Sequence, residues 1–419
     1  MAKPKLALIP ATQGSKLYSV LPADGVGDFT FSRGSAATRI NKDGLIETVA
    51  SGVSRLNYPL IDGVVNGCPS HLLEPTRLQK IQYSEDFSQS AFYDLSNDVT
   101  IETSSIISPK GIIGVQELRE NSDNDDHLIK SVNTFTETDS SFSIFAKYKG
   151  NNRNIKLSLG TGQYASFDLQ NGTYFDVQTS AVAKIKEYPN GWYRCSINGA
   201  ISSSKLNIIL LNGTTETYLG DGTSGIYIWG AQFEIGSFPT SYIPNYGTAA
   251  GITRSAETAN GAGDASTFND SEGVLMAEIS ALANDGTFRM LSISDGTNNN
   301  RVRINFTSTS EQIQARLVIG GVTQADLSQT SANVTSFNKI AISYKENDVK
   351  LYINGILIAS DTSASVPTIG TFTTLQFDGG GGTNLFHGNT KQLQYFDSAL
   401  NDSDLETLTS WTSFTDLAN

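Results

Sequence analysis

Apolar and polar side chains alternate along this chain in short runs separated by Gly, Asn and Asp, the pattern of strands that turn one face toward a core. Within the stretch that opens at Phe142, residues Phe142, Ile144, Ala146 and Tyr148 fall on one face. After a turn at 150–152 the alternation resumes with Ile155, Leu157 and Leu159. Ala165, Phe167 and Leu169 then lead into Asn171-Gly172, which predicts a two-residue hairpin, because both central positions of a type I′ turn need positive φ. The same pattern returns at Val302, Ile304 and Phe306, at Ile313, Ala315, Leu317 and Ile319, and at Ile340, Ile342 and Tyr344. Val349, Leu351 and Ile353 complete it before a second Asn-Gly pair, Asn354-Gly355. The fold class predicted is all-β, two tandem antiparallel sandwiches of jelly-roll type. One helix is predicted, at 401–410, with Asn401 as N-cap, Asp404 at N3, and Leu405 and Leu408 on one face.

Outside these blocks the pattern weakens. Residues 1–80 hold apolar islands at 6–9, 18–21 and 29–31, broken by Pro and Gly, with no sustained period. Such a segment predicts an extended N-terminal arm that buries its islands against its own sandwich, a sister subunit or a larger assembly; a small irregular β domain is the alternative. Residues 245–273 are small and polar and read as a linker with an incoming strand. The organisation expected is therefore an attachment arm over 1–80, a first sandwich over 81–248, a linker over 249–272 and a second sandwich over 273–419.

Composition narrows the function. Charged residues make up 17% of the 419 positions, below the usual figure of about 25%, and 38% are hydrophobic, which excludes a disordered chain. Net charge is −13 and no dense Lys/Arg run occurs, so neither nucleic acid nor an anionic membrane is expected as partner. No apolar run approaches the length of a membrane span, and the N-terminus lacks the pattern of a signal peptide, so synthesis in a cytoplasm without membrane insertion is expected. Two cysteines (Cys68, Cys195) and three histidines (His71, His127, His387) leave no room for a Cys/His zinc site at usual spacing.

Several strings resemble bacteriophage virion proteins of the tail-fibre, appendage and head-fibre kind. In the arm these are FSRGSAATRINKDGLIE (31–47), SRLNYP (54–59) and CPSHLLEPTR (68–77). YSEDFSQSAF (83–92), GWYR (191–194) and WGAQFEIGSFPTSYIP (229–244) resemble the first strand, a late strand and the exit of a carbohydrate-binding-module-like jelly roll. VKLYINGILIA (349–359) and FHGNTKQLQYFDSALNDSDLETL (386–408) resemble a concanavalin A-like or laminin-G-like lectin domain. The resemblance implies a virion component that docks on capsid, portal or tail proteins, self-associates as a homo-oligomer, with a trimer among the fitting states, and adheres weakly to host or environmental glycans. A decoration or head-fibre protein without sugar affinity, a polysaccharide-degrading tail enzyme and a secreted adhesin are the rivals.

Catalysis is not expected. A glycosidase needs two carboxylates flanking one bond, and the second sandwich offers Glu278 alone on its strand, with Glu311, Glu346 and Asp348 in turns. Sugar binding needs an aromatic face with hydrogen-bonding neighbours. Tyr164 and Tyr174, flanking the Asn171-Gly172 turn, and Trp192 are the candidates, with Trp229 and Trp411 as further tryptophans that framework packing explains equally well. Oxygen donors leave room for a structural calcium: Asn121, Asp123 and Asp125 alternate in one loop, Asp295 and Asp378 are weaker candidates, and by resemblance alone Glu85, Asp86 and Glu234 would be ligands.

Overall fold

In a computed structural model, which describes residues 2–9, 12–160 and 162–410, the chain forms antiparallel β-sandwiches with a single α-helix among the described residues. The first sandwich pairs a six-stranded sheet with an eight-stranded one. The six-stranded sheet runs, in spatial order, Tyr93–Asn97, Leu128–Ser131, Asn207–Asn212, Arg153–Ser158, Tyr164–Asp168 and Thr173–Phe175. The eight-stranded sheet has Gly225–Ile235, Phe135–Lys147 and Trp192–Ser204 at its centre. Phe142, Ile144, Ala146, Ile155, Leu157, Ala165 and Phe167 meet between the sheets, as their alternation requires.

Phe145, on the opposite face of its strand from Ile144, is buried as well. It sits in a second cluster with Trp192, Trp229, Tyr188 and Tyr242, against which the arm hairpin of Ala37–Ile40 and Ile46–Val49 lays Ile40 and Ile46. A sheet covered on both faces loses simple alternation, and this one does.

The second sandwich is built partly from the arm. Strand Gly388–Phe396 pairs with Glu272–Ala281 on one side, and on the other with both Leu6–Leu8 (Leu6 opposite Tyr395) and Ser70–Leu73 (Leu73 opposite Gly388). Leu6, Leu8, Leu17, Phe29, Phe31 and Leu73 join Ala259, Phe268, Leu275, Ile304 and Leu393 in one core. Of the three surfaces on which the islands could be buried, the protein's own second sandwich takes those at 6–8 and 29–31. Residues 258–268 are likewise more than a linker, since Thr258–Asn260 pairs with Phe29–Ser32 and Phe268 is a core residue.

Turn chemistry explains one departure. Asn354 and Gly355 both have positive φ, 51° and 82°, and Ile353 pairs with Ile356, the two-residue hairpin expected. Asn171-Gly172 does not form one. Asp168 pairs with Thr173, its Oδ1 accepts the amides of Gln170 and Asn171 at 2.9 and 3.0 Å, and of these two central residues only Gly172 is left-handed. The aspartate side chain stabilises a four-residue turn in place of the shorter one.

The helix Asp402–Thr409 starts where expected, with Asn401 Oδ1 accepting the Asp404 amide at 2.9 Å. Leu405 and Leu408 pack on Val274, Met276, Tyr352 and Phe396, closing one outer face of the second sandwich. Asn401→Ala is expected to lower stability by about 1 kcal/mol, read as a fall in the urea midpoint; an unchanged midpoint would show that the cap is dispensable. Among the described residues no helix is long and apolar enough to cross a membrane.

Candidate functional site

A row of side chains crosses the outer face of the six-stranded sheet. Cross-strand register places Asp94 opposite Lys130, Lys130 opposite Asn207, Asn207 opposite Ser158 and Ser158 opposite Tyr164, so the five lie side by side on five adjacent strands. One step along the strands a second row follows, with Leu128, Ile209, Lys156, Ser166 and Phe175. Leu128, Ile209 and Leu211 pack with Phe175 into a small apolar strip there. The first row, with Lys156 and Ile209 of the second, lines a groove of about 610 Å³, which Ser96, Gly160, Gly162, Ser204, Lys205 and Glu216 complete.

The groove combines apolar surface with hydrogen-bonding groups. Lys156 Nζ stands 3.7 Å from the Tyr164 ring centroid and 2.7 Å from Glu216, while Tyr164 Oη accepts from Gln178 Nε2 at 2.7 Å. These contacts fix the ring in place. Asn207 lines the groove, and its Oδ1 is buried without a hydrogen-bond partner.

The other expected sugar contacts lie elsewhere. Tyr174 is opposite Phe167, a core residue, and so points to the other side of the sheet from Tyr164, half exposed at the sheet edge. The two tyrosines cannot share a ligand. Trp192 is fully buried in the aromatic cluster, its Nε1 donating to the Ile107 carbonyl at 2.9 Å; a ring with no exposed face cannot stack on a sugar, which corrects its assignment as a platform. Trp229 is equally enclosed. Trp411 lies outside the described residues.

The three carboxylates expected around calcium are not gathered. Glu85 accepts from the hydroxyls of Tyr242 and Tyr246, both at 3.0 Å. Asp86 is bonded by Ser88, Gln89 and Gln116, whose hydrogen bonds outweigh its burial and hold its pKa below the ordinary value. Glu234, fully buried, accepts the Thr240 amide at 2.8 Å and the Thr240 hydroxyl. Each is satisfied by donors from its own surroundings, and among the described residues no group of three His, Cys, Asp or Glu is placed to hold a metal. Glu278 is bonded by Gln392 Nε2 at 2.7 Å and lies 3.9 Å from Lys391.

Where the arm meets the two sandwiches lies a buried ionic network. Arg55 bridges Glu74, at 2.8 Å, and Glu257, whose Oε1 it meets through Nε at 2.8 Å. Arg33 reaches Glu257 at 2.6 Å, and Arg254 reaches Glu74 at 2.8 Å. Ser241, in the exit of the first sandwich, donates to Glu74 through its amide at 2.8 Å and its hydroxyl at 2.6 Å. All five charged groups are at most 3% exposed. Beside them opens a cleft of about 310 Å³ lined by Arg39, Lys184, Lys186 and Arg194, of which Arg39 is paired with Glu47 and Arg194 donates to Thr240 O and Ser143 Oγ. Neither the network nor the row on the six-stranded sheet was visible as a motif, because each joins residues far apart in the chain.

Comparison with known proteins bears on the second sandwich first: residues 262–406 match the sequence model of the concanavalin A-like lectin/glucanases superfamily. No curated protein matches the sequence. Among solved structures, the chain is similar to the CBM40 of the Ruminococcus gnavus IT-sialidase bound to α2,3-sialyllactose, with 19% identity and a TM-score of 0.31 over 36% of this chain and 88% of that one. It is similar to domain 4 of the arabinanase AbnA of Geobacillus stearothermophilus in complex with arabinotriose, with 14% identity and a TM-score of 0.29 over 37% and 73%. Domains LG4-5 of the mouse laminin α1 chain align over 67% of this chain and 90% of theirs, at 10% identity and a TM-score of 0.24. The lectin-like sandwich is what the match to 262–406 supports.

Proposed function

We propose that this protein is a non-catalytic scaffold that binds glycans, with the groove around Tyr164 as a sugar site on the first sandwich and a lectin-like second sandwich behind it. The observation that carries the reading is the groove on the six-stranded sheet, which an aromatic ring, Tyr164, and an apolar side chain, Ile209, line together with Asn207, whose Oδ1 has no partner. A pyranose presents the complementary surface, an apolar face of C–H groups ringed by hydroxyls. The superfamily match over 262–406 is in keeping with it.

The setting we propose is a phage particle, on which many copies would turn weak single sites into firm adhesion, multiplying affinity by roughly 10²–10⁴. This part rests on the strings in the arm and at 229–244. With the islands at 6–8 and 29–31 buried internally, the arm surface left for docking on virion proteins centres on Tyr18, Val20 and Val26, each at least 37% exposed.

The test is a glycan array probed with the full chain, multimerised on a bead, followed by titration of the best ligand. Tyr164→Ala is expected to weaken that ligand about threefold to tenfold, as loss of an aromatic contact does, while changing folding stability by less than about 1 kcal/mol. A silent array would favour a purely structural decoration role. Release of reducing ends from a polysaccharide would replace the reading with an enzymatic one.

A further inference from the structure

The outer face of the five-stranded sheet in the second sandwich carries charges that its fold does not need. On strand Arg301–Phe306, Arg301, Arg303 and Asn305 alternate with the core residues Val302, Ile304 and Phe306. Register then sets Arg303 directly opposite Arg316 on one neighbouring strand and Ser292 on the other. Like charges in direct cross-strand register repel.

Two of the three arginines have oxygen partners. Arg316 meets Asp326 at 2.6 Å, and Arg301 donates to Asn298 Oδ1 at 2.6 Å and to the Gly379 carbonyl. Arg303 is different: 5% exposed, it forms no ion pair, and its one side-chain hydrogen bond among the described residues goes to the Met290 sulfur at 3.1 Å. The Nε of all three arginines and Oδ1 of Asn305 are buried without partners. Burial, then the fields of Arg301 and Arg316, pull the Arg303 pKa down to about 10, so the group is still charged at neutral pH.

A guanidinium has five donors and no acceptor, and enclosing one without an oxygen partner is among the more destabilising arrangements a core can hold. An oxyanion seated between the three arginines would supply the missing acceptors and cancel the repulsion. Ser292 and Gln314 share the face with Arg303 but are engaged elsewhere, Ser292 Oγ with the Asp378 carbonyl at 2.9 Å and Gln314 Nε2 with Asp326 at 2.8 Å. The helix packs on the opposite sheet of the sandwich. Over the Arg301 end of this face runs the 378–380 segment, whose carbonyls accept from Ser292 Oγ and Arg301, so the face opens to solvent at Arg316, whose side chain is 31% exposed.

We propose that the Arg301–Arg303–Arg316 face is an oxyanion site that takes the carboxylate or sulfate ester of an acidic saccharide. It is separate from the Tyr164 groove, which belongs to the other sandwich. The anion part of the assignment stands on the arginines alone, and the saccharide part rests on the glycan reading above.

The experiment titrates the full chain at low salt with glucuronate, glucose 6-sulfate, glucose and inorganic sulfate, by calorimetry. Both sugar acids are expected to bind, more weakly as salt rises, and glucose is expected not to displace them. Arg303→Met should weaken the sugar acids at least about tenfold, as removal of a charged hydrogen-bond donor does, and should raise the melting temperature, because a buried unpaired charge is lost. Tyr164→Ala should leave these affinities unchanged. Sulfate binding that depends on Arg303, with no binding of the sugar acids, would keep the anion site and overturn its saccharide part. Anion affinity that survives Arg303→Met, or a fall in melting temperature without loss of binding, would overturn the site itself.

Discussion

Glu257→Gln is expected to destabilise the protein by about 3–5 kcal/mol, the usual effect of removing one partner from a buried charge pair. Glu257 is the carboxylate shared by Arg33 and Arg55, and the amide of Glu74 donates to it at 2.8 Å. Burial would raise its pKa, but the field and hydrogen bonds of Arg55, with Arg33 behind them, hold it below the ordinary value. A glutamine keeps the shape and removes the charge, leaving two enclosed guanidinium groups facing each other. Against a total stability of roughly 5–15 kcal/mol the loss is large, and it is read as a fall in the urea midpoint. Adding Arg33→Met to Glu257→Gln is expected to be less harmful than the sum of the single changes, since one of the stranded charges goes with it. Additive effects would show that Arg33 and Glu257 are not energetically coupled.

The network also explains what three strings of the arm do in this molecule. FSRGSAATRI contributes Arg33, SRLNYP contributes Arg55, and HLLEPTR contributes Glu74, while the 229–244 string contributes Thr240 and Ser241. Those strings were recognisable as text, yet their joint role was not, because Arg33 and Glu257 are 224 positions apart and nothing in one predicts the other. The sandwich cores were legible for the opposite reason: strand alternation is local, and residues such as Ile144, Ile304 and Leu351 alternate in the sequence as they do in the sheets. Where the arm covers a second face, at Phe145 and Trp192, local pattern had no means of showing that both sides would be buried.

The candidate site was half legible. An even-numbered turn between two paired strands puts even positions of one strand on the same side as odd positions of the other, so Tyr164 and Tyr174 oppose each other for a turn of two residues or of four. Parity alone would have separated them. The side-by-side placement of Asp94, Lys130, Asn207, Ser158 and Tyr164 demanded the order of five strands, which no stretch of sequence carries. Arg303 lies between: its alternation with Val302 and Ile304 is plain, whereas its confrontation with Arg316 exists only through register.

The second large effect concerns acid. His71 is enclosed between Phe31 and Phe377, with ring centroids 6.1 Å from each, and neither of its nitrogens has a partner. Burial lowers its pKa to about 4, and burial together with the field of Arg289 does the same for His387. Both are neutral in the folded protein at pH 7, while in the unfolded chain they take up protons near pH 6.5. Folded values below unfolded ones mean that the unfolded state binds more protons between pH 6.5 and 4, so stability falls as the pH drops through that window. The loss is roughly 3 kcal/mol for each histidine. Glu74 acts lower down. Its burial is outweighed by Arg254 and Arg55, which bring its pKa to about 2, so its contribution is present above about pH 4.5 and is lost as pH falls toward 2. The urea midpoint is therefore expected to decline from pH 6.5 to 4, ahead of the titration of Glu74, and the protein to unfold in mild acid. His71→Leu, which fills the space between the two phenylalanines without a titratable group, should flatten the upper part of that decline. A stability curve level from pH 7 to 4.5 would show that the histidines titrate in the folded protein as they do in the unfolded chain, and an identical decline in His71→Leu would show that His71 is not a source of it.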